Sequence, residues 1–255
     1  MKATDSMVEK LFKRMDDWRH LPSYQLERRV DLFFSLYLPE VLSKEYSGIN
    51  IRQDLIPEFP IRIGTIDKTK RENNQSKKVD YLALSADGTT AYLIELKTDN
   101  ASIIDEQTET LVSACEKSFA ELLEGLLKIF NSDSLNSIRR RKYLYLLNKL
   151  YHMKQIYMPA KLKKIMENET LHGITKASND LKVTTKVEQI MPVYIVPSSS
   201  VKSYLVKKSE IKIITFADFI KVIDDMNCND MVSTQFKTYL SDWAENEAGK
   251  PKITD

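Results

Sequence analysis

Two apolar runs, Val79 to Ser85 and Ala91 to Leu96, flank the segment Ala86-Asp87-Gly88-Thr89-Thr90. Short apolar runs on either side of an Asp-Gly pair predict a β-hairpin. Its register decides which side chains share a face. With Asp87 and Gly88 as a two-residue turn, paired positions sum to 175, so Ser85 faces Thr90, Tyr81 faces Ile94 and Asp80 faces Glu95. Opposed residues hold their Cβ atoms roughly 5 Å apart, and two carboxylates there repel by about 3 kcal/mol at an effective dielectric of about 20. Such a placement needs compensation. Lys97, two residues beyond Glu95, lies on the same face and supplies one cation. A bound divalent cation would offset the rest. Leu82, Leu84 and Leu93 share that face, which puts the polar trio at one end of an apolar surface. A three-residue loop would instead pair Asp80 with Leu96 and send the two acids to opposite faces.

The flanking sequence predicts a mixed α/β fold. Residues 4 to 19 pattern as an amphipathic helix, and Leu21-Pro22-Ser23 breaks it, with Ser23 placed to cap a second helix from Tyr24 to Leu42. That helix buries Leu26, Val30, Phe33, Phe34 and Tyr37 and carries Glu27 beside them. Ile49 to Ile63 is extended, with Pro57 and Pro60 keeping it at a sheet edge or out of regular ladder pairing, and Asp67 to Lys78 is a polar loop. One long helix is expected from Asp105 to Phe130, with Leu111, Cys115, Phe119, Leu122 and Leu126 on one stripe. Two helices broken near Pro159 follow, between Ile138 and Met166. Strands are expected at Val183 to Val187, Ile190 to Val196 and Ile211 to Thr215, then a helix from Phe216 to Met226. This order predicts a single domain over residues 1–255: a mixed central sheet flanked by helices, with a core of about 24–130 and 183–226 and a basic helical insertion of about 135–180.

Composition removes several function classes. The 42% hydrophobic fraction is enough for a continuous core, so disorder and fibrous repeats are poor explanations. The six glycines, at 48, 64, 88, 125, 173 and 249, are too scattered to form a phosphate-cradling loop. Cys115 and Cys228 lack metal-ligand spacing and predict buried thiols in a reducing compartment. Met1 to Arg19 has no signal-peptide core and no stretch has the length of a bilayer span, so a cytoplasmic protein without membrane partners is expected. His20, His152 and His172 have no paired spacing, and neither a Ser-His-Asp nor a zinc arrangement is supported. The net charge of +2 is uninformative, but positive charge is concentrated locally. Arg139, Arg140, Arg141, Lys142, Lys149, Lys154, Lys161, Lys163 and Lys164 have no acidic neighbours, and Tyr143, Tyr145, Tyr151 and Tyr157 interleave with them. A solvated face would account for the cations, and a core or interface for the tyrosines. A nucleic-acid groove would need both.

Asp80, fourteen residues, then Glu95-Leu96-Lys97, in a hairpin preceded by a helix bearing Glu27 and followed by a long helix, resembles the PD-(D/E)XK nuclease superfamily. The resemblance spans about Tyr24 to Phe130 plus Ile190 to Val196 and matches that family's αβββαβ core order. Val79 stands where the family name has Pro, a position that contributes no ligand. A second Glu-x-Lys, Glu210-Ile211-Lys212, serves as a control for chance, since no acid occurs between Val196 and Ser209 to partner it.

The resemblance implies a restriction-endonuclease-like fold and a metal-dependent nuclease. Asp80, Glu95 and the carbonyl of Leu96 would hold Mg2+, with Mn2+ as a substitute, and Glu27 would bind a second metal or hold the lysine. Magnesium prefers such hard oxygen ligands and lowers the pKa of an attacking water. Lys97 would orient that water and stabilise charge on the phosphate. Gln107 fits a family position often taken by Gln, and Arg139, Arg140, Arg141 and Lys142 are candidates for substrate binding. The expected partner is nucleic acid, DNA before RNA, with a homodimer allowed. The competing readings are a surface salt-bridge cluster, a catalytically inactive nucleic-acid-binding or scaffold protein that keeps the fold, and a basic protein-interaction module centred on residues 138 to 166.

Overall fold

The computed structural model describes residues 6–99, 102–132, 137–167, 180–198 and 211–245. His172, Gly173, Glu210, Gly249 and residues 168–179 of the expected insertion lie outside these segments. The fold is α/β. Its helices begin with α1 (Met7–Trp18) and α2 (Glu27–Glu45), followed by the strand β1 (Ile56–Arg62) and a short α3 (Ile63–Ile66). The hairpin strands are β2 (Ser76–Leu84) and β3 (Thr90–Leu96), and α4 (Asp105–Cys115), α5 (Phe119–Asn131) and α6 (Ser137–His152) follow. Next come β4 (Ile156–Tyr157), α7 (Ala160–Glu167), β5 (Lys182–Val183), β6 (Gln189–Val196), β7 (Lys212–Thr215), α8 (Phe216–Asp225) and α9 (Met231–Glu245).

Five strands form a mixed sheet in the order β1-β2-β3-β6-β7, with β1 antiparallel to β2 and β6 parallel to β7. β1 is an edge strand, which is where Pro57 and Pro60 can sit without interrupting a ladder on both sides. The chain divides into two compact units, one of 1–53, 94–108 and 192–255 and the other of 54–93 and 109–191.

The first unit is built on aromatic packing. Phe34 of α2 meets Phe216 and Phe219 at ring-centroid distances of 5.2 and 5.0 Å, and Phe236 of α9 at 5.1 Å. Phe12 of α1 lies against Phe33 and Tyr239. Capping boxes at Ser6 and Thr215 start α1 and α8, each side chain receiving a backbone N–H while an acid three residues on returns the bond. In the second unit, α5 packs on β1 with Phe59 stacked against Phe119 at 6.3 Å.

Five local expectations are corrected. The helix expected from Asp105 to Phe130 is two helices, because Ser118 and Glu121 form a capping box that starts α5 afresh. The helix expected from Tyr24 begins at Glu27, and Ser23, at φ 64°, takes a left-handed turn conformation instead of capping it. The strand expected from Val183 to Val187 reduces to Lys182–Val183, paired with β4 in a separate two-stranded sheet. The polar stretch from Asp67 to Lys78 holds a 3-10 turn at Lys68–Lys70 and the first residues of β2, drawn into the ladder by Pro60↔Lys78 and Arg62↔Ser76 pairing. Cys115 and Cys228 form no disulfide and are half-buried, not buried.

The hairpin turn also differs in detail. Ser85 N–H donates to Thr90 O at 2.9 Å, as the expected register requires. The tight turn is Ser85 to Gly88, closed by Gly88 N–H on Ser85 O at 3.0 Å, with Gly88 at φ 78°. Asp87 Oδ1 accepts from Ser85 Oγ, Thr89 N–H and Thr89 Oγ1, which draws the loop to four residues in place of two.

Candidate active site

Lys97 follows the end of β3, and its N–H donates to Ile195 O of β6 at 2.8 Å. That bond fixes the backbone at the base of the lysine. The residue is 2% exposed, an unusual position for an ammonium. Two carboxylates accompany it: Nζ donates to Glu95 Oε1 at 3.0 Å, and Glu27 Oε1 stands 3.6 Å away. Strand alternation explains Glu95, two residues earlier on the same face. Glu27 arrives from α2, where it occupies the first helical turn and complements the positive end of the helix dipole.

Glu27 and Lys97 line a cleft of about 370 Å³ together with Gln107, Arg19, Arg28 and Asp99. Gln107 is held there by its neighbour. Thr108 Oγ1 and Tyr194 OH share a buried hydrogen bond of 3.0 Å, which ties the start of α4 to β6. Gln107 Oε1 is buried and has no hydrogen-bond partner among the described residues. A buried amide oxygen without a donor carries a desolvation cost that a ligand in the cleft would relieve.

Arg19 and Arg28 are additions that sequence pattern did not single out. The Arg19 side chain is only 3% exposed, lies 4.0 Å from Asp16 Oδ1 and sits over the Trp243 ring at 5.9 Å. Burial pushes its guanidinium pKa down, while the Asp16 and Asp99 carboxylates oppose that shift. No local motif marks this arginine; its role in the cleft depends on where α1 ends relative to α9.

Among the described residues, no three His, Cys, Asp or Glu side chains group closely enough to hold a metal by themselves. A divalent ion here would have to draw on amide, carbonyl and water oxygens as well, which magnesium and manganese accept. The chemistry of the donor set fits that requirement. Glu27 and Glu95 with Lys97 carry a formal charge of minus one, and Gln107 offers a hard oxygen donor that nothing else engages.

The remaining sequence-predicted residues are placed as follows. Leu96 ends β3 and is fully buried. Asp80 is half-buried on β2, in the second unit. Arg139, Arg140, Arg141 and Lys142 lie on α6, also in the second unit, where Arg140 Nη2 donates to Ser132 O at 2.8 Å at the end of α5. Tyr145 and Tyr157 are exposed, whereas Tyr151 accepts a hydrogen bond from Lys163 Nζ, which also lies 3.9 Å from its ring centroid. In the control motif, Lys212 pairs with Glu45 at 2.8 Å, an ordinary half-exposed ion pair.

No family model, curated protein or solved structure matches this chain.

Proposed function

We propose that this chain is a metal-dependent nuclease with a restriction-endonuclease-like core, hydrolysing phosphodiester bonds of nucleic acid, DNA before RNA. The observation that carries the reading is the buried ammonium of Lys97 between Glu95 and Glu27, in a cleft that also holds the orphaned amide oxygen of Gln107. The succession α2, β1, β2, β3, α4 and later β6 supports the αβββαβ core order. Asp80 enters through the pattern Asp80-x14-Glu95-x-Lys97 alone.

In this scheme Glu95 and the Leu96 carbonyl would hold magnesium or manganese, with Asp80 assigned by the sequence pattern alone, and Glu27 would hold the lysine. When bound, the ion supplies positive charge that acidifies an attacking water and neutralises the phosphate. Lys97 orients that water and donates to the developing charge on the non-bridging phosphate oxygen. Its two carboxylate neighbours hold the ammonium in place. The water oxygen bonds to phosphorus as its proton passes to solvent, one P–O ester bond breaks, and the departing oxygen takes a proton from solvent. Arg19 and Arg28 add positive charge along the cleft in which the phosphate would lie.

One observation favours a second reading, a nucleic-acid-binding or scaffold protein without turnover: the described carboxylates do not by themselves form a metal cage. A single set of measurements separates the two. Purified protein is incubated with supercoiled, linear duplex and single-stranded DNA and with RNA, in magnesium, manganese or EDTA. Nuclease function predicts cleavage with either metal, none in EDTA, and a loss of about a hundredfold or more in Lys97→Ala and Glu95→Ala. Equal cleavage by both variants and wild type would remove the proposal. If calorimetry detects no metal binding while DNA binding survives Asp80→Asn, the scaffold reading stands.

A further inference from the structure

The second unit holds a cleft of about 390 Å³ that the proposed chemistry does not use. At its wall is Arg62, the last residue of β1 and 4% exposed. Its Nε donates to Asn74 Oδ1 at 2.7 Å and its Nη2 to Arg71 O at 2.6 Å, both neutral acceptors. No carboxylate lies within ion-pair distance of it among the described residues. A buried guanidinium without a counter-charge is costly, since desolvation is repaid only by a close anion.

The rest of the charged lining is mixed, with cations in excess. Lys68, Arg71, Lys117 and Lys128 surround the cleft, and none is in an ion pair among the described residues. Glu72, Glu121 and Glu124 also border it, leaving five cations against three carboxylates. Glu121 is engaged by the cap, its Oε2 accepting from Ser118 N–H and Oγ, and its charge also faces Lys117 and Lys68. Two glycines let Arg62 and Thr65 pack closely against the backbone here. A Cβ at Gly64 would stand 2.4 Å from Arg62 Nη1, and one at Gly125 would stand 2.3 Å from Thr65 Oγ1. Side chains at either place would collide with Arg62 and Thr65, two of the groups that line the cleft.

We infer that this cleft binds a phosphate group, with Arg62 supplying the buried charge, Lys68 and Lys128 the outer charge and Thr65 a hydroxyl donor. Phosphate matches a planar, multi-donor guanidinium ringed by further cations. The inference stands on residues separate from Lys97, Glu95 and Glu27, so either assignment can fail without the other.

The experiment titrates the full chain with inorganic phosphate and with two oligonucleotides of one sequence, one carrying a 5′-phosphate and one a 5′-hydroxyl. The variants are Arg62→Gln and the double variant Lys68→Ala/Lys128→Ala, which leaves the Arg62 hydrogen bonds untouched and so stays informative if Arg62→Gln does not fold. Affinity for phosphate is expected to fall about tenfold in the double variant and to weaken with salt. A preference for the 5′-phosphorylated strand that the double variant erases assigns the site to a terminal phosphomonoester. Equal binding of both strands, weakened equally by the double variant, assigns it to backbone phosphodiester. Phosphate binding lost in the double variant, with neither strand affected, assigns it to a small phosphorylated molecule. If phosphate does not bind, or if the double variant binds all three probes as wild type does, the inference is overturned.

Discussion

Lys97 Nζ donates to Glu95 Oε1 at 3.0 Å with both side chains almost wholly withdrawn from solvent, at 2% and 5% exposure. A single period of strand alternation separates them, so the backbone that ends β3 sets their approach before any distant element contributes. Glu27 then joins from α2, at 3.6 Å and with 27% of its side chain exposed. The resulting arrangement is asymmetric, with one carboxylate buried beside the ammonium and the other reaching it from the cleft.

This asymmetry bears on stability. Breaking a buried ion pair from one side typically costs about 3–5 kcal/mol, because the surviving charge stays buried, whereas replacing both members can be close to neutral. Lys97→Met and Glu95→Gln are each expected to destabilise the fold by about that amount, and the double variant by clearly less than their sum. Urea unfolding of the four proteins measures the coupling. Strictly additive effects would show that the two side chains do not depend on each other.

Gln107 separates function from folding. Its Oε1 is buried without a donor among the described residues, and an unsatisfied buried acceptor costs about 1–3 kcal/mol. Gln107→Leu is therefore expected to leave the melting temperature unchanged or raised while reducing metal-dependent cleavage. A fall in stability with cleavage unaltered would mark the amide as a structural group.

The hairpin turn should be sensitive to acid. Ser85 Oγ, the Thr89 N–H and the Thr89 hydroxyl, in that order of contribution with the backbone ahead of the hydroxyl, hold the Asp87 carboxyl below its ordinary pKa. A folded-state pKa below the unfolded one means stabilisation that is complete above the ordinary carboxylate range and is lost as pH falls through it toward the folded value. Asp87→Asn is expected to flatten this part of the stability-pH profile, with little difference from wild type at strongly acidic pH. Unfolding midpoints measured from neutral to acidic pH for the two proteins check it; parallel profiles would show that the turn contributes nothing.

Much of the fold was legible along the chain wherever one short-range rule acted alone. The apolar runs of β2 and β3, the prolines on β1 and the apolar stripe of α2 each act over a few residues, and each element is present, with β2 starting at Ser76 and α2 at Glu27. Expectation failed where polar side chains competed for backbone donors. Ser118 and Glu121 divide a stripe that hydrophobic spacing reads as continuous, and Asp87 draws the turn into a four-residue loop while Ser85 still faces Thr90. In both places hydrogen bonds worth about a kilocalorie each outweigh a pattern that helix or strand spacing leaves equally satisfied.

The site divides in the same way. Glu95 and Lys97 could be placed on one face from sequence alone, because two residues of strand fix their geometry. That Glu27 reaches the same ammonium, that Gln107 presents an unsatisfied oxygen to the same cleft, and that Arg19 is buried beside it depend on the packing of α1, α2 and α4. The cleft around Arg62 is likewise a tertiary product, since its cations come from β1, the turn after it and α5. Local periodicity carries the direction of a side chain, but only long-range packing removes the water that gives a buried charge its consequence.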